Sequence, residues 1–263
     1  MALRKLFDSS SAQMRVAGFM SGSGTNLRKI IEHEKKLEKE RSESPFKIVV
    51  IFTDNASSKA LEIGKDYDIP VIARDIRAFY AKRGRPRKDM NLRKEFDKWI
   101  LEALKPFSVD IATFAGYMSV ASNVLVENLV AINVHPADLS IKNENGKRKF
   151  KGEHAVRDAI LAGEKTIAST THIVEEGVDE GRLLLISSPV EVEKPDSMLT
   201  EHDIDLIANH NQEILKQKGD WIIFPLTLQF IAEGRFQVNE SGIIHFDGKP
   251  IPDGIRIEDI NLS

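Results

Sequence analysis

Short apolar runs alternate with longer amphipathic segments over most of the chain. This alternation is typical of strands separated by helices, and it predicts a mainly parallel sheet covered by helices. Several of the predicted strands are rich in Val and Ile, as buried strands are. They are Arg15–Met20, Phe46–Thr53, Val71–Arg74, Val109–Phe114, Val130–Val134, Ile167–Val174 and Leu183–Val190.

Helices are predicted at Asn26–Glu38, Ser58–Tyr67, Leu92–Leu104, Ser122–Asn128, His154–Ala162 and, as one long helix, Thr200–Ala232. Ser122 and Thr200 are predicted N-caps, because a hydroxyl there accepts a backbone N–H of the first turn. Phe236–Val238 and Ile243–Phe246 predict a small C-terminal hairpin. The predicted fold class is therefore α/β, a mainly parallel twisted sheet with helices on both faces and this hairpin.

The composition is that of an ordinary globular protein, with 41% hydrophobic and 29% charged residues among 263. We expect a single domain over residues 15–263, preceded by a loosely held extension over residues 1–14. A formal charge of -3 gives no bulk attraction to nucleic acid or to a membrane, and neither partner is expected. Because the chain has no cysteine, disulfides and thiolate chemistry are excluded. The cytoplasm is the expected location.

A glycine-rich turn, SGSGTNL at Ser21–Leu27, joins the first predicted strand to a helix. Such turns bind phosphate, since glycine lets the backbone approach and the helix N-terminus presents free N–H groups. The turn lacks the GK[ST] element of a P-loop, and Leu27 stands where a dinucleotide fingerprint has its third glycine. It indicates a single phosphate, although a tight strand-to-helix turn needs glycine for its geometry alone.

Two polar side chains follow the apolar run that ends at Ile132. Asn133 and His135 are two residues apart at the carboxyl end of the predicted strand Val130–Val134, where period-two alternation points both to the same side. An amide donor beside an imidazole suits a carbonyl that develops negative charge. The alternative is that His135 is a structural histidine.

An acidic turn, EEGVDEG at Glu175–Gly181, follows another predicted strand. A carboxylate of this turn that reached His135 would orient the ring and raise its pKa. Alternatively, the segment is an acidic surface turn. Two basic segments, Arg83–Arg87 and Lys142–Lys151, are expected to be exposed loops. Exposure to solvent is enough to explain their charge, but their basic side chains could also bind anionic ligands.

Taken together, these motifs resemble those of the folate-dependent formyltransferase family. The likeness covers about residues 15 to 255, in order and at compatible spacing, and implies that family's Rossmann-like fold. It rests on SGSGTNL, AGYM at Ala115–Met118, INVHP at Ile132–Pro136, EEGVDEG, and a tail with Phe230–Arg235, Phe246–Gly248 and Pro250.

The resemblance implies transfer of a formyl group from 10-formyltetrahydrofolate, a co-substrate, to a primary amine. The branch of the family that acts on 5-phosphoribosylglycinamide in purine synthesis is the expected one. Asn133 and His135 match the catalytic pair, and Asp179 matches the aspartate that raises the histidine pKa. Neither a metal nor a covalent enzyme intermediate is expected, and the assembly is expected to be a monomer or a homodimer.

The same resemblance implies the ligand contacts. Gly24, Thr25 and Asn26 match the substrate-phosphate loop. The positions that match folate contacts are Arg93, Met118, Ser119, Val120, Ala121 and Asn133. The positions that match contacts to the ribose and the glycinamide are Gly152, His154, Gln217 and Asp220.

The chain departs from the family at four places. Ala137–Ser140 replace the usual SLLP and lead into the basic insertion Lys142–Lys151, so the loop after His135 is rebuilt. Ser119 stands where arginine is common, Ala121 replaces a larger apolar residue, and Asp220 replaces glutamate. An amino sugar nucleotide therefore remains an alternative acceptor.

Three other functions are disfavoured. A folate deformylase of this family carries an N-terminal regulatory domain, for which the chain is expected to have no room. The missing third glycine argues against a nucleotide-dependent oxidoreductase, and the retained Asn133, His135 and Asp179 argue against a binding protein with a degenerate site.

Overall fold

The computed structural model describes residues 2–8, 13–194 and 200–260. The chain divides into two compact units. The N-terminal unit comprises Phe7–Asn133 and Val174–Glu176, and the C-terminal unit comprises Met1–Leu6, Val134–Ile173 and Gly177–Ser263. The chain passes from the first unit to the second within the strand that carries Asn133 and His135.

Within the described residues, the strands β1 to β14 are, in chain order, Leu3–Lys5, Met14–Met20, Phe46–Thr53, Val71–Ala73, Ile111–Phe114, Ala131–His135, Thr166–Ile167, Thr170–Ile173, Leu183–Ile186, Val190–Glu191, Phe236–Asn239, Ile244–Phe246, Lys249–Pro250 and Ile255–Arg256. The α-helices α1 to α8 of the same residues are Thr25–Arg41, Ala60–Tyr67, Ile76–Ala81, Met90–Leu104, Asn123–Asn128, Ala155–Leu161, Glu201–Leu215 and Trp221–Ala232.

The N-terminal unit is built on a parallel sheet in the order β6-β5-β2-β3-β4. Its central strand β2 is buried at every position except Arg15, and Phe19 on this strand packs against the rings of Phe52, Phe114 and Tyr117. Each such buried side chain stabilises the fold by about 1.5–3 kcal/mol. The predicted mainly parallel α/β fold is confirmed.

The helix α4 begins two residues before the predicted start, because Asp89 caps it. The Asp89 side chain accepts the backbone N–H groups of Asn91 and Leu92, which a helix leaves without intrahelical partners. The short helix α3 was not predicted. It begins after Asp75, whose side chain accepts the backbone N–H of Ala78.

In the C-terminal unit, β8 pairs antiparallel with β9, and β14 pairs parallel with β9. The predicted strand Ile167–Val174 divides because its two parts have different partners: β7 pairs with β10 and β8 with β9. The predicted C-terminal hairpin is present as β11 and β12. The expected N-terminal extension contains β1, which pairs with β11.

The long predicted helix is α7 and α8 joined by a π-helical turn, Lys216–Asp220. Thr200 caps α7 as predicted, in a capping box with Asp203. Ser122 occupies the N-cap position of α5, but within the described residues its side chain makes no capping hydrogen bond. A π-helical turn inserts an extra residue into a helical turn and is frequent at functional sites.

Candidate active site

His135 and Asp179 lie side by side in the C-terminal unit. The Nδ1 atom of His135 is 3.3 Å from Oδ2 of Asp179, and the two side chains are 6% and 9% exposed. The other ring nitrogen, Nε2, is 3.1 Å from the backbone carbonyl of Phe150. Each ring nitrogen therefore faces an oxygen acceptor, and a neutral imidazole can donate to one of the two. The predicted contact between the histidine and the acidic turn is present.

Asp179 has an unusual backbone conformation for a residue with a side chain, with φ of 54°. It sits in the turn between β8 and β9, where Gly177 also has a positive φ. Its carboxylate accepts the backbone N–H of Gly152 at 2.9 Å. Strained backbone of this kind persists where the surrounding contacts over-determine it, and it is concentrated at functional sites.

A second histidine shares this carboxylate. Nε2 of His172 lies 3.5 Å from Oδ1 of Asp179, and its Nδ1 faces the backbone carbonyl of Ile173 at 2.9 Å. His172 is on the buried strand β8 and was not predicted as a site residue, because it lies inside a predicted strand whose sequence, IASTTHIV, contains several polar residues and no motif that distinguishes this one.

The pKa of Asp179 is lowered to about 2. Burial raises it, but the hydrogen bond with His172, the charge of His135 and the N–H of Gly152 outweigh that effect. Asp179 is therefore the ionised member of the group at neutral pH.

The expected rise in the pKa of His135 is wrong in its net direction. Burial is the largest effect and lowers the pKa of His135, because desolvation disfavours the imidazolium. The charge of Asp179 raises the pKa as predicted, but the charges of His172 and Arg148 oppose it. The net pKa lies below its usual value, so at neutral pH the neutral ring predominates.

Asn133 lies two residues before His135 on β6 and is half-buried. Its backbone pairs with Phe114 in the parallel sheet of the N-terminal unit. Alternate residues of a strand point to the same side, so the strand directs both the amide and the imidazole to one side of the sheet.

The residues expected to contact ribose and glycinamide occupy different environments. Asp220 ends the π-helical turn, is 7% exposed, and accepts a 2.5 Å hydrogen bond from the hydroxyl of Ser169. Gln217 lies in the same turn but is exposed. His154 lines an open polar cavity of about 500 Å³ along α6 and α7. Gly152 donates its backbone N–H to the Asp179 carboxylate.

Gly24, Thr25 and Asn26 form the start of α1, as predicted. Gly24 is the N-cap with φ of 69°, and among the described residues no side chain caps the helix and no acidic residue occupies its first turn. A Cβ at Gly24 would lie 2.5 Å from Ile63 and 2.7 Å from Met20, so this position requires glycine. The helix N-terminus is thus left with the partial positive charge that attracts anions.

The segment Met118–Ala121 is a loop that follows β5 in the N-terminal unit. Met118 and Val120 are 66% and 61% exposed, whereas Ser119 is buried. The buried carboxylate of Asp54 accepts hydrogen bonds from the hydroxyls of Ser119 and Ser21. This network anchors the loop and leaves two apolar side chains displayed on its surface.

Arg93 lies beneath this loop rather than on its surface. Its guanidinium is 3% exposed and lies 2.8 Å from Oδ1 of Asp97 and 2.8 Å from the hydroxyl of Tyr117. Asp97 in turn accepts the backbone N–H of Ser122 at 2.7 Å. Arg93 therefore braces the loop from inside.

The basic insertion Lys142–Lys151 is largely exposed, as predicted, but it is folded onto its own unit. Arg148 donates to the backbone carbonyls of Asp179 and Gly181, and Lys151 pairs with Glu180. In the N-terminal unit, Arg87 reaches the hydroxyl of Ser119 at 3.4 Å.

Within residues 2–8, 13–194 and 200–260, no cluster of His, Cys, Asp and Glu forms a candidate metal site. No helix in that part of the chain is long and apolar enough to cross a membrane.

Comparison with known proteins matches residues 14–214 to the formyl transferase family. The human trifunctional purine biosynthetic protein adenosine-3 is 29% identical over 245 residues, 92% of this chain and 21% of that protein. The chain thus spans about a fifth of the trifunctional relatives it matches. Phosphoribosylglycinamide formyltransferase of Haemophilus influenzae is 26% identical over 242 residues, 90% of this chain and 96% of that protein.

Solved structures share the fold. Glycinamide ribonucleotide transformylase 1 from Symbiobacterium toebii has a TM-score of 0.66 and 25% identity, and the match covers 89% of this chain and 94% of that one. Phosphoribosylglycinamide formyltransferase from Anaplasma phagocytophilum has a TM-score of 0.67 and 21% identity, covering 94% and 100% respectively. The fold of the chain is the one these structures have.

Proposed function

The chain belongs to the formyl transferase family, and we propose that it transfers the formyl group of 10-formyltetrahydrofolate to the primary amine of 5-phosphoribosylglycinamide. The observation that carries the proposal is the contact between His135 and Asp179, with Asn133 two residues away on the same strand. The named function of the Haemophilus influenzae relative, matched over nearly its whole length, supports the choice of acceptor.

The reaction needs one proton moved and one oxyanion stabilised. The amine attacks the formyl carbon, the carbonyl electron pair moves to oxygen, and the amide of Asn133 donates a hydrogen bond to that oxygen. Neutral His135 accepts the proton released by the amine and passes it to N10 of the folate as the bond between carbon and nitrogen breaks. The products are the formamide and tetrahydrofolate, and the enzyme returns to its starting state.

Asp179 has two tasks in this scheme. It orients the imidazole through Nδ1, and its charge stabilises the imidazolium that forms while His135 holds the proton. The lowered pKa of His135 suits the first step, because a neutral ring can accept a proton. This differs from the expected rise in the pKa of His135.

The substrate contacts are assigned to the sites that suit their chemistry. The phosphate is assigned to the N-terminus of α1 at Gly24–Asn26, and the folate to the exposed apolar side chains of Met118 and Val120. Asp220 is assigned to the ribose hydroxyls, because Ser169 already fixes its carboxylate. A carboxylate accepts hydrogen bonds from a diol with good geometry.

The direct test is an assay of purified protein with 10-formyltetrahydrofolate and glycinamide ribonucleotide. Folate consumption that requires this amine, and that His135→Ala abolishes with little change in amine binding, supports the proposal. Consumption with an amino sugar nucleotide only would overturn the acceptor and keep the chemistry. Formate release in the absence of any amine would instead identify a deformylase.

A further inference from the structure

The side chain of Arg148 crosses from the basic insertion Lys142–Lys151 to the turn that carries Asp179. One terminal nitrogen donates to the backbone carbonyl of Asp179, and the other donates to that of Gly181 at 2.7 Å. The arginine side chain is half-buried. A planar guanidinium that donates to two acceptors fixes their relative position, which a lysine ammonium on a flexible stem does not do.

This turn needs an external restraint. Asp179 has φ of 54°, a region that costs an ordinary residue about 1–2 kcal/mol, and Gly177 gives the turn additional backbone freedom. The side-chain contact of Glu180, with Lys151, is exposed and contributes little. The half-buried guanidinium therefore restrains the backbone at Asp179 from outside the turn.

The insertion also contacts the site directly. The carbonyl of Phe150 faces Nε2 of His135, and the next residue but one, Gly152, donates its N–H to the Asp179 carboxylate. Arg148 holds the backbone of the aspartate from the same segment. The rebuilt loop after His135 thus contacts both catalytic side chains within five consecutive residues, 148–152.

We propose that Arg148 is a positioning residue for formyl transfer: by holding the backbone carbonyls of Asp179 and Gly181, it sets the Asp179 carboxylate against His135. The expected effect of Arg148 on kcat rests on the proposed function. Its effect on the position of Asp179 relative to His135 does not depend on that function. Charged groups that act on His135 besides Asp179 are His172 and Arg148 itself.

Arg148→Lys separates geometry from charge. The substitution keeps the positive charge and removes the two-point contact. The Asp179 carboxylate then moves relative to His135, and its electrostatic attraction for the imidazolium weakens. We expect kcat to fall by about 10- to 100-fold, with KM for both substrates changed little, because a displacement near 1 Å has this effect on a reacting constellation. The titration midpoint of His135, followed by NMR of the imidazole, should move to lower pH.

The matched control is Lys147→Gln, a neighbouring exposed cation of the same insertion. It should leave kcat and the His135 midpoint at their wild-type values. Combining Arg148→Lys with Asp179→Asn completes a double-mutant cycle. If Arg148 acts through Asp179, its substitution no longer moves the midpoint once the carboxylate charge is gone.

Three results would overturn the proposal. The first is an Arg148→Lys protein that matches Lys147→Gln in both kcat and midpoint, and the second is a midpoint shift that persists undiminished with Asp179→Asn. The third is a fall in thermal stability without a midpoint shift, which would reduce Arg148 to a structural residue. The NMR titration needs no substrate. Failure of the wild-type protein to formylate glycinamide ribonucleotide would therefore refute the proposed function and leave the role of Arg148 decidable.

Discussion

In this chain, Oδ2 of Asp179 lies 3.3 Å from Nδ1 of His135, and both side chains are almost fully buried. The two residues are 44 positions apart in the sequence. His135 ends β6, and Asp179 lies in the turn after β8. Burial raises the pKa of the carboxylate, but the hydrogen bond with His172, the charge of His135 and the N–H of Gly152 lower it to about 2. Burial keeps the pKa of the histidine below its usual value. The pair at rest is thus an ionised aspartate beside a neutral imidazole.

Asp179→Asn should lower kcat by about 10²- to 10⁴-fold, the range that positioned acid–base groups contribute. The amide has no charge to stabilise the imidazolium, so the pKa of His135 should also fall further. Steady-state kinetics and an NMR titration of His135 measure the two effects. Glu176→Gln, which removes an exposed carboxylate of the same turn, should change neither. Activity within about twofold of wild type in Asp179→Asn would contradict the mechanism.

Glu34 should make the free energy of unfolding depend on pH. This carboxyl is 6% exposed on α1 and accepts the backbone N–H of Ile48, and burial raises its pKa to about 7 from an ordinary 4.5. The folded state then binds the proton more tightly than the unfolded state. The protonated Glu34 therefore contributes to the free energy of unfolding. This contribution is fully present below about pH 4.5, is lost as the pH rises to about 7, and amounts to about 3 kcal/mol.

Glu34→Gln should flatten this dependence, because an amide accepts from Ile48 without a charge to bury. Urea unfolding at pH 5 and pH 8 gives the two free energies for each protein. Glu40→Gln, an exposed change on the same helix, should retain the wild-type difference. Equal pH dependence in Glu34→Gln and wild type would show that Glu34 is not the source.

Gly24→Ala should impair the start of α1 in two ways. The new Cβ would meet Ile63 and Met20, and φ of 69° strains any residue with a side chain, so we expect a loss of about 1–3 kcal/mol in stability. The displaced N–H groups should raise KM for the phosphorylated amine by about tenfold, since charge-assisted hydrogen bonds contribute about 1.5–3 kcal/mol each.

Gly22→Ala is the matched control for that change. It lies in the same turn, and no atom of the described residues lies within 4 Å of a Cβ at this position. Thermal unfolding and the KM for the phosphorylated amine, measured on both variants, test whether the N-terminus of α1 binds the phosphate. Equal KM values for the two variants would contradict the assignment of the substrate phosphate to the N-terminus of α1.

Arg93→Met should destabilise the protein by about 3–5 kcal/mol, because it leaves the fully buried carboxylate of Asp97 without its cation. The loop Met118–Ala121 should loosen as a result, because Arg93 and Asp97 hold Tyr117 and Ser122 on either side of it, and the KM for folate should rise. Lys105→Met removes an exposed pair with Glu102 and should cost less than about 1 kcal/mol. Chemical denaturation compares the two variants, and a similar small loss in both would refute the bracing role of Arg93.

Much of the fold was predictable because its signals are local. Buried parallel strands such as Phe46–Thr53 appear as continuous apolar runs, and that strand has the predicted bounds. The division of Ile167–Val174 was not predictable, since it depends on which strand pairs with each half. The π-helical turn at Lys216–Asp220 was likewise hidden within an uninterrupted helical pattern.

Short-range patterns and motifs in the sequence predicted the α/β class and the glycine turn at Gly24, and they singled out Asn133, His135 and Asp179 as the proposed catalytic residues. The arrangement of the surrounding side chains depends on tertiary packing. It placed His172 on the same carboxylate as His135, buried Arg93 under its loop, and set Arg148 on the backbone of Asp179. It also reversed the expected shift of the His135 pKa, because desolvation depends on packing around the ring and no local pattern records it.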